Sequence, residues 1–232
     1  MVLMSDGTVW VWGTNNWGVF GNGTEVDDYV MTSTTPVQLP SISDVVAIAA
    51  AELDVLALKS DGSVWCWGSY NCQSLSPKQI VETSAIGISA IGENLTILMA
   101  DGTVNSLGTC PGNGQMTQKA TVVQTSDLTG VVAIAAGRYN SFALRSDGTV
   151  WGWGSNDYSQ LGNGSDTWAP KPVQLALSNI IGIAAGYYLT FALDSEFNLW
   201  GWGVNSGTLG NGTNTGASTP QMIGNLAAVL MP

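Results

Sequence analysis

The sequence predicts an all-β fold of about five small antiparallel sheets packed side by side around an axis. Three observations carry this. A nine-residue pattern recurs along the chain, Asp-Gly turns join its apolar segments, and those segments are apolar on both faces. No stretch has helical periodicity.

The pattern reads "SDGTVWVWG" from Ser5, "SDGSVWCWG" from Ser60, "ADGTVNSLG" from Ala100, "SDGTVWGWG" from Ser146 and "SEFNLWGWG" from Ser195. A second element precedes most copies: "VVAIAAAELDVLAL" from Val45, "IGISAIGENLTIL" from Ile86, "VVAIAAGRYNSFAL" from Val131 and "IIGIAAGYYLTFAL" from Ile180. A repeat of this length is one supersecondary unit that buries its core only against its neighbours. Within each unit, "VVAIAA" reads as strand A, "SFAL" as strand B and "TVWGWG" as strand C. A fourth strand, D, falls in the variable segment ending "PVQL". Asp-Gly between B and C predicts a type I′ hairpin turn. The last copy has Glu196-Phe197 there; phenylalanine disfavours positive φ, so a different turn is expected.

In Val9-Trp10-Val11-Trp12 the tryptophans point one way and the valines the other. A sheet with one wet face would alternate apolar with polar. Both faces here need cover, which radially packed sheets provide. The expected fold is therefore a β-propeller of about five four-stranded blades. Alanine and glycine of strand A suit the crowded centre. Trp10, Trp12, Trp65, Trp67, Trp151, Trp153, Trp200 and Trp202 are read as packing between blades. One domain, 1–232, divides into repeats at approximately 1–44, 45–85, 86–130, 131–179 and 180–232. The chain starts at a B strand and ends on "LAAVLMP", which reads as a fifth strand A. Either the N-terminal B and C strands complete the blade begun by that C-terminal strand, or the blades form an open arc of a larger propeller.

Residues Ala136 to Gly164, "AGRYNSFALRSDGTVWGWGSNDYSQLGNG", resemble the regulator of chromosome condensation repeat almost in full. Ala185 to Gly212 match nearly as well, and Trp10 to Gly23 match its second half. The "PVQ…VVAIAAG" joints resemble those of bacterial members. The resemblance implies blades of about 50 residues, usually seven to a ring, so five repeats depart from it. A histidine frequent in the family is replaced by Asp54, Leu95, Asn140 and Leu189. The third repeat has Asn105 and Leu107 for its tryptophans, and the second and third lack the Leu-Gly-Asn-Gly turn. The family's founder is a chromatin-bound nucleotide exchange factor, and a bacterial propeller of similar repeats inhibits β-lactamases. Others resemble surface modules. These functions are what the resemblance implies. Exchange activity is disfavoured, since no repeat carries a clear wedge insertion.

Composition narrows the function. Six basic residues face seventeen acidic ones, a net charge of -11, which repels nucleic acid. No apolar run is long enough for a transmembrane helix, and no signal peptide is visible at the N-terminus. A secreted or cell-surface location is favoured through the resemblance. The absence of histidine removes the usual general base and metal ligand. No cofactor, metal or catalytic constellation is expected. Asp6, Asp61, Asp101 and Asp147 read as turn residues, and the sequons at Asn22, Asn163 and Asn211 as the repeat's own turns. Asn94 also begins a sequon. Glu25 to Asp28 read as a solvated acidic loop in preference to a calcium site. Cys66, Cys72 and Cys110 are expected as thiols, with Cys66–Cys72 and Cys72–Cys110 the alternative pairings.

The expected activity is non-enzymatic binding of another protein, with an inhibitor-like binder and a carbohydrate-binding or hydrolytic propeller as alternatives. The candidate residues occupy the A–B loops, which vary within a regular frame and should share one face: Glu52, Asp54, Glu93, Arg138, Tyr139, Asn140, Tyr187 and Tyr188. Trp17 and Trp168 in the C–D loops are secondary candidates. A closed ring predicts a monomer; an open arc allows an oligomer.

Overall fold

The computed structural model describes residues 1–25 and 31–230. Its strands alternate in the order the repeats predict. The first sheet has three strands, β1 (Val2–Leu3), β2 (Val9–Thr14) and β3 (Met31–Gln38). Four four-stranded sheets follow. The second holds β4 (Val45–Ala50), β5 (Asp54–Lys59), β6 (Val64–Gly68) and β7 (Ser74–Val81). The third holds β8 (Ala85–Ile91), β9 (Asn94–Met99), β10 (Val104–Thr109) and β11 (Thr117–Gln124). The fourth holds β12 (Val131–Ala136), β13 (Asn140–Arg145), β14 (Val150–Gly154) and β15 (Ala169–Gln174). The fifth holds β16 (Ile180–Ala185), β17 (Leu189–Asp194), β18 (Asn198–Gly203) and β19 (Ala217–Asn225). All pairings are antiparallel, and successive A strands β4, β8, β12 and β16 lie against one another. This is a propeller in the form of an open arc.

The ring is not closed by a mixed blade. Leu226 N–H does donate to Phe197 O, as Val45 N–H donates to Gly7 O at the start of an ordinary strand A. The chain then turns into a short helix, α1 (Ala227–Leu230). A strand A pairs only with strand B of its own sheet. With no such strand beside it, the backbone satisfies its polar groups locally, as a helix does.

The hairpin turns correct a second expectation. Met4 N–H donates to Thr8 O, Gly7 N–H donates to Met4 O, and only the glycine has positive φ, +80°. This is a three-residue loop, a type I turn closed by a left-handed residue, and not type I′. The Asp6 carboxylate accepts from Thr8 N–H and Oγ1, and Thr8 Oγ1 accepts from Trp10 Nε1 at 3.1 Å. The same relay recurs at Asp61-Ser63-Trp65 and Asp147-Thr149-Trp151. It holds these exposed carboxyls below their usual pKa through the hydroxyl hydrogen bond. Contrary to expectation, the last copy keeps the same turn: Phe197 takes φ +63° and its N–H donates to Asp194 O. Burial would raise the Asp194 carboxyl. Hydrogen bonds from Trp200 Nε1 and Asn198 outweigh it and lower the pKa, so Asp194 performs the missing aspartate's task.

The core forms between sheets, but the eight tryptophans read as its packing are not alike: Trp10, Trp65, Trp151 and Trp200 are half-buried, and Trp12 is exposed for want of a sheet over it. Trp67, Trp153 and Trp202 are fully buried, each against the preceding sheet. Trp202 meets Phe142 edge-on at 6.0 Å and donates from Nε1 to Gln160 O at 2.9 Å. Leu161, Leu175 and Ile180 close around them. The Asn-Gly sequences at Asn22, Asn163 and Asn211 form turns, each asparagine Oδ1 accepting from the backbone two residues on. Asn94, by contrast, is buried in β9. The second sheet lacks this turn and holds its C–D loop by a Cys66–Cys72 disulfide, which overturns the three-thiol expectation. Cys110 is a buried thiol whose pKa burial pushes up to about 11. The Glu25–Asp28 stretch extends beyond the described residues.

Candidate functional site

In the second to fifth sheets the A–B loop is drawn in by the glycine that ends strand C, after Trp-x-Trp or, in the third sheet, after Asn-Ser-Leu. Gly154 has φ +105°, and a Cβ there would lie 2.4 Å from Tyr139 O; Gly203 and Tyr188 O repeat the geometry at 2.2 Å. Ser155 N–H then donates to Tyr139 O and Val204 N–H to Tyr188 O, pinning the loops to the ends of β14 and β18. The loops therefore present side chains from fixed backbone.

Five of the eight candidate residues converge. The Arg138 guanidinium stacks over the rings of Tyr139 and Tyr187, 4.9 Å from each centroid. Its Nη1 donates to Tyr188 Oη at 2.9 Å, and Nη2 lies 3.8 Å from Glu52 Oε1. The Tyr187 hydroxyl donates to the same Glu52 carboxylate, joining the second sheet to the fifth. Tyr187 and Tyr188 meet edge-on at 6.0 Å. The Tyr188 hydrogen bond, aided by nearby Glu52, raises the Arg138 pKa, and burial raises that of Tyr139. The result is a cation held among three phenol rings and a carboxylate, with Tyr187 still 42% exposed.

Glu93 is next to this group and differently engaged. Its Oε2 accepts from Tyr70 Oη at 2.5 Å and Thr109 Oγ1 at 2.9 Å, while its N–H donates to Arg138 O. Asp54 and Asn140 do not belong to the surface. Both are the first residues of B strands that are buried on both faces, and they are 0% and 1% exposed. Asp54 accepts from the N–H groups of Asn71 and Cys72 at 2.8 and 3.1 Å, so it braces the C–D loop. Burial raises its pKa, and those hydrogen bonds oppose the rise. Trp17 is exposed and Trp168 half-buried, both outside the tyrosine contacts.

Sequence reasoning missed Tyr158, whose ring stacks 4.7 Å from Tyr188 with 54% of its surface exposed, and Tyr70. Both sit in C–D loops, and A–B and C–D loops leave an up-and-down sheet on the same side. That topological rule was the available signal. Among the described residues, no group of three or more acidic, cysteine or histidine side chains is placed to hold a metal ion. No described helix is long and apolar enough to cross a membrane.

Comparison with known proteins agrees with this architecture. A family model described as the regulator of chromosome condensation (RCC1) repeat matches residues 6–58 and 147–193, and a second model of the same repeat matches 131–160. The human E3 ubiquitin-protein ligase HERC2 is 28% identical over 164 residues, 71% of this chain and 3% of that protein. The Arabidopsis thaliana mitochondrial protein RUG3 is 29% identical over 197 residues, covering 74% of this chain and 44% of its own. The human regulator of chromosome condensation is 26% identical over 196 residues, with 69% and 46% covered. The chain thus spans less than half the length of these relatives. Human WBSCR16 superposes with TM-score 0.84 at 21% identity, over 96% of this chain and 64% of that one. Yeast RCC1 (Prp20), solved with Kap60, gives 0.81 at 24% identity, over 96% and 61%. The two models together cover residues 6–58 and 131–193, half of the chain, which belongs to the regulator of chromosome condensation (RCC1) repeat family.

Proposed function

We propose that this chain is a non-catalytic protein-binding module whose loop face, centred on Arg138, Tyr187 and Tyr188, docks another protein. The observation that carries the reading is the Arg138 cluster. Tyrosine and arginine dominate interface hot spots. Here they stand on loops pinned to rigid strands, so little ordering entropy opposes association. Yeast RCC1, of the same fold, was solved bound to a protein, Kap60, which supports a protein as the partner class. The charge of -11 speaks against nucleic acid. The "PVQ…VVAIAAG" joints are our ground for reading it as a bacterial-type member, and the disulfide suits a secreted or cell-surface location.

The carbohydrate alternative loses support, because Asp54, one of its three carboxylates, is buried and occupied by backbone donors. The test is chemical cross-linking and capture with the wild-type protein as bait, beside a Tyr187→Ala/Tyr188→Ala variant of equal thermal stability. The variant is expected to lose the wild-type partner. Retention would move the site off this face, and glycan binding or turnover in a parallel screen would overturn the reading.

A further inference from the structure

In the second to fifth sheets, strand A opens on the same backbone device. The residue before it is left-handed: Asp44, Ser84, Gly130 and Asn179 have φ of +59°, +71°, +68° and +58°. Three of the four carry a side chain in a region that disfavours one. Hydrogen bonds hold them there, since Ser60, Ala100, Ser146 and Ser195 N–H donate to their carbonyls. The next residue, Val45, Ala85, Val131 or Ile180, is at most 5% exposed. Its N–H donates to Gly7, Gly62, Gly102 or Gly148 O, in the B–C turn of the preceding sheet. A β-bulge follows. Val46, Ile86, Val132 and Ile181 are skipped in the pairing with strand B, which resumes at Ala47, Gly87, Ala133 and Gly182.

A bulge re-aims a side chain. Here the four skipped residues are 55%, 58%, 54% and 52% exposed. Each lies on the edge strand of its sheet, where charged residues usually protect the backbone. Instead, large aliphatic side chains stand at one repeat position on strands that lie against one another, an apolar arc.

The arc has an acidic rim. The B–C turns bonded to these strands carry exposed Asp6, Asp61, Asp101 and Asp147, and Glu196 holds the same position in the fifth sheet. In the aspartates, Oδ1 serves the turn by accepting from the Thr or Ser two residues on. Those hydroxyl hydrogen bonds lower all four pKa values, so the groups stay anionic. Asp147 Oδ2 lies 3.5 Å from Arg145, whereas Oδ2 of Asp6, Asp61 and Asp101 has no hydrogen bond or ion pair among the described residues. Lys59 and Arg145, the cations at this end, are already paired, with Asp44 at 3.8 Å and with Asp147.

We propose that this end of the arc is a second docking surface, for a protein segment that combines aliphatic side chains with lysine or arginine. Its aliphatic groups would cover Val46, Ile86, Val132 and Ile181, and its cations would meet the free carboxylate oxygens. Charge complementarity selects this occupant, because the same carboxylates repel an anionic membrane surface. The strand A residues separate this end from the A–B loops by about 16 Å. The inference is independent of the loop-face reading, since it uses none of those residues.

The test measures fluorescence anisotropy of a labelled amphipathic peptide of leucine and lysine at helical spacing. Saturable binding that weakens with added salt is expected. Ile86→Thr/Val132→Thr keeps the branched shape that suits a strand, and should weaken binding roughly tenfold at an unchanged urea midpoint. Asp61→Asn/Asp101→Asn keeps the turn acceptors and should weaken it roughly threefold to tenfold. Tyr187→Ala/Tyr188→Ala should leave it unchanged. If the threonine variant misfolds, Val46→Thr alone should still weaken the wild-type value. No saturable binding, equal binding by the threonine variants, or loss in the tyrosine variant would overturn the proposal. So would equal binding of a leucine–glutamate peptide, or of phosphatidylserine vesicles, which would assign the surface to lipid.

Discussion

Trp153 and Trp202 share a repeat position and complete burial, but their indole N–H groups differ. Trp202 Nε1 donates to Gln160 O, carried by the Gln-Leu-Gly turn of the preceding sheet. Trp153 faces the third sheet, which has Pro111-Gly112 in place of that turn, and its Nε1 finds no acceptor. Phenylalanine at either position removes similar volume and leaves a similar cavity, so the difference isolates the N–H. Trp202→Phe loses a net hydrogen bond of about 1 kcal/mol. Trp153→Phe relieves a buried unsatisfied donor, a gain of roughly 1–3 kcal/mol against the same cavity cost. Trp202→Phe should therefore be the more destabilising by about 2 kcal/mol or more, roughly thirtyfold in the folded-to-unfolded ratio. Urea unfolding with equal slopes for both variants measures it. Equal midpoint shifts, or a larger one for Trp153→Phe, would refute the assignment of that turn as the indole's acceptor.

Three further outcomes are expected. Gly162 and Gly210 both have φ +72°, so alanine at either costs about 1 kcal/mol for the left-handed backbone. Only Gly162→Ala also meets Trp202, at 2.5 Å, and urea unfolding should show it worse by roughly 1–3 kcal/mol. Thr149→Val removes the hydroxyl that lowers the Asp147 pKa, so an NMR titration should find that pKa shifted up towards 3.8. Because the folded pKa lies below the unfolded one, this carboxylate's stabilisation is present above the unfolded pKa. It is lost as pH falls through the folded value, and the variant should lack that part of the acid limb. Under native conditions a thiol reagent should find no fast-reacting cysteine, then one after unfolding, Cys110. Reduction of Cys66–Cys72 should cost about 2 kcal/mol by loop closure.

Much of the fold was legible because the repeat writes local rules many times. Val9, Val64 and Val150 alternate with tryptophan, which marks strands covered on both faces, and all three valines are fully buried. The geometry of the candidate loop cluster was legible in part. Glu52, Arg138, Tyr139, Tyr187 and Tyr188 converge as one loop face predicts. Asp54 and Asn140 failed because each already belongs to a B strand buried on both faces, one residue past the loop to which the sequence reading assigned it. The Phe197 turn failed because the Asp194 hydrogen bonds hold a backbone that phenylalanine alone disfavours.

The sequence by itself determined the strand order, the antiparallel pairing and the residues that need cover, since these follow from periodicity and turn chemistry within one repeat. Only the tertiary structure decided which of those residues obtain cover. Trp12 and Trp202 sit in the same local pattern, yet one is exposed and the other sealed. Burial depends on which sheet lies alongside in space, and no local pattern encodes that neighbour. Closure, the meeting of Glu52 in the second sheet with Tyr187 in the fifth, and the short helix Ala227–Leu230 were settled at the same level, by contacts between units that are distant in sequence or by their absence.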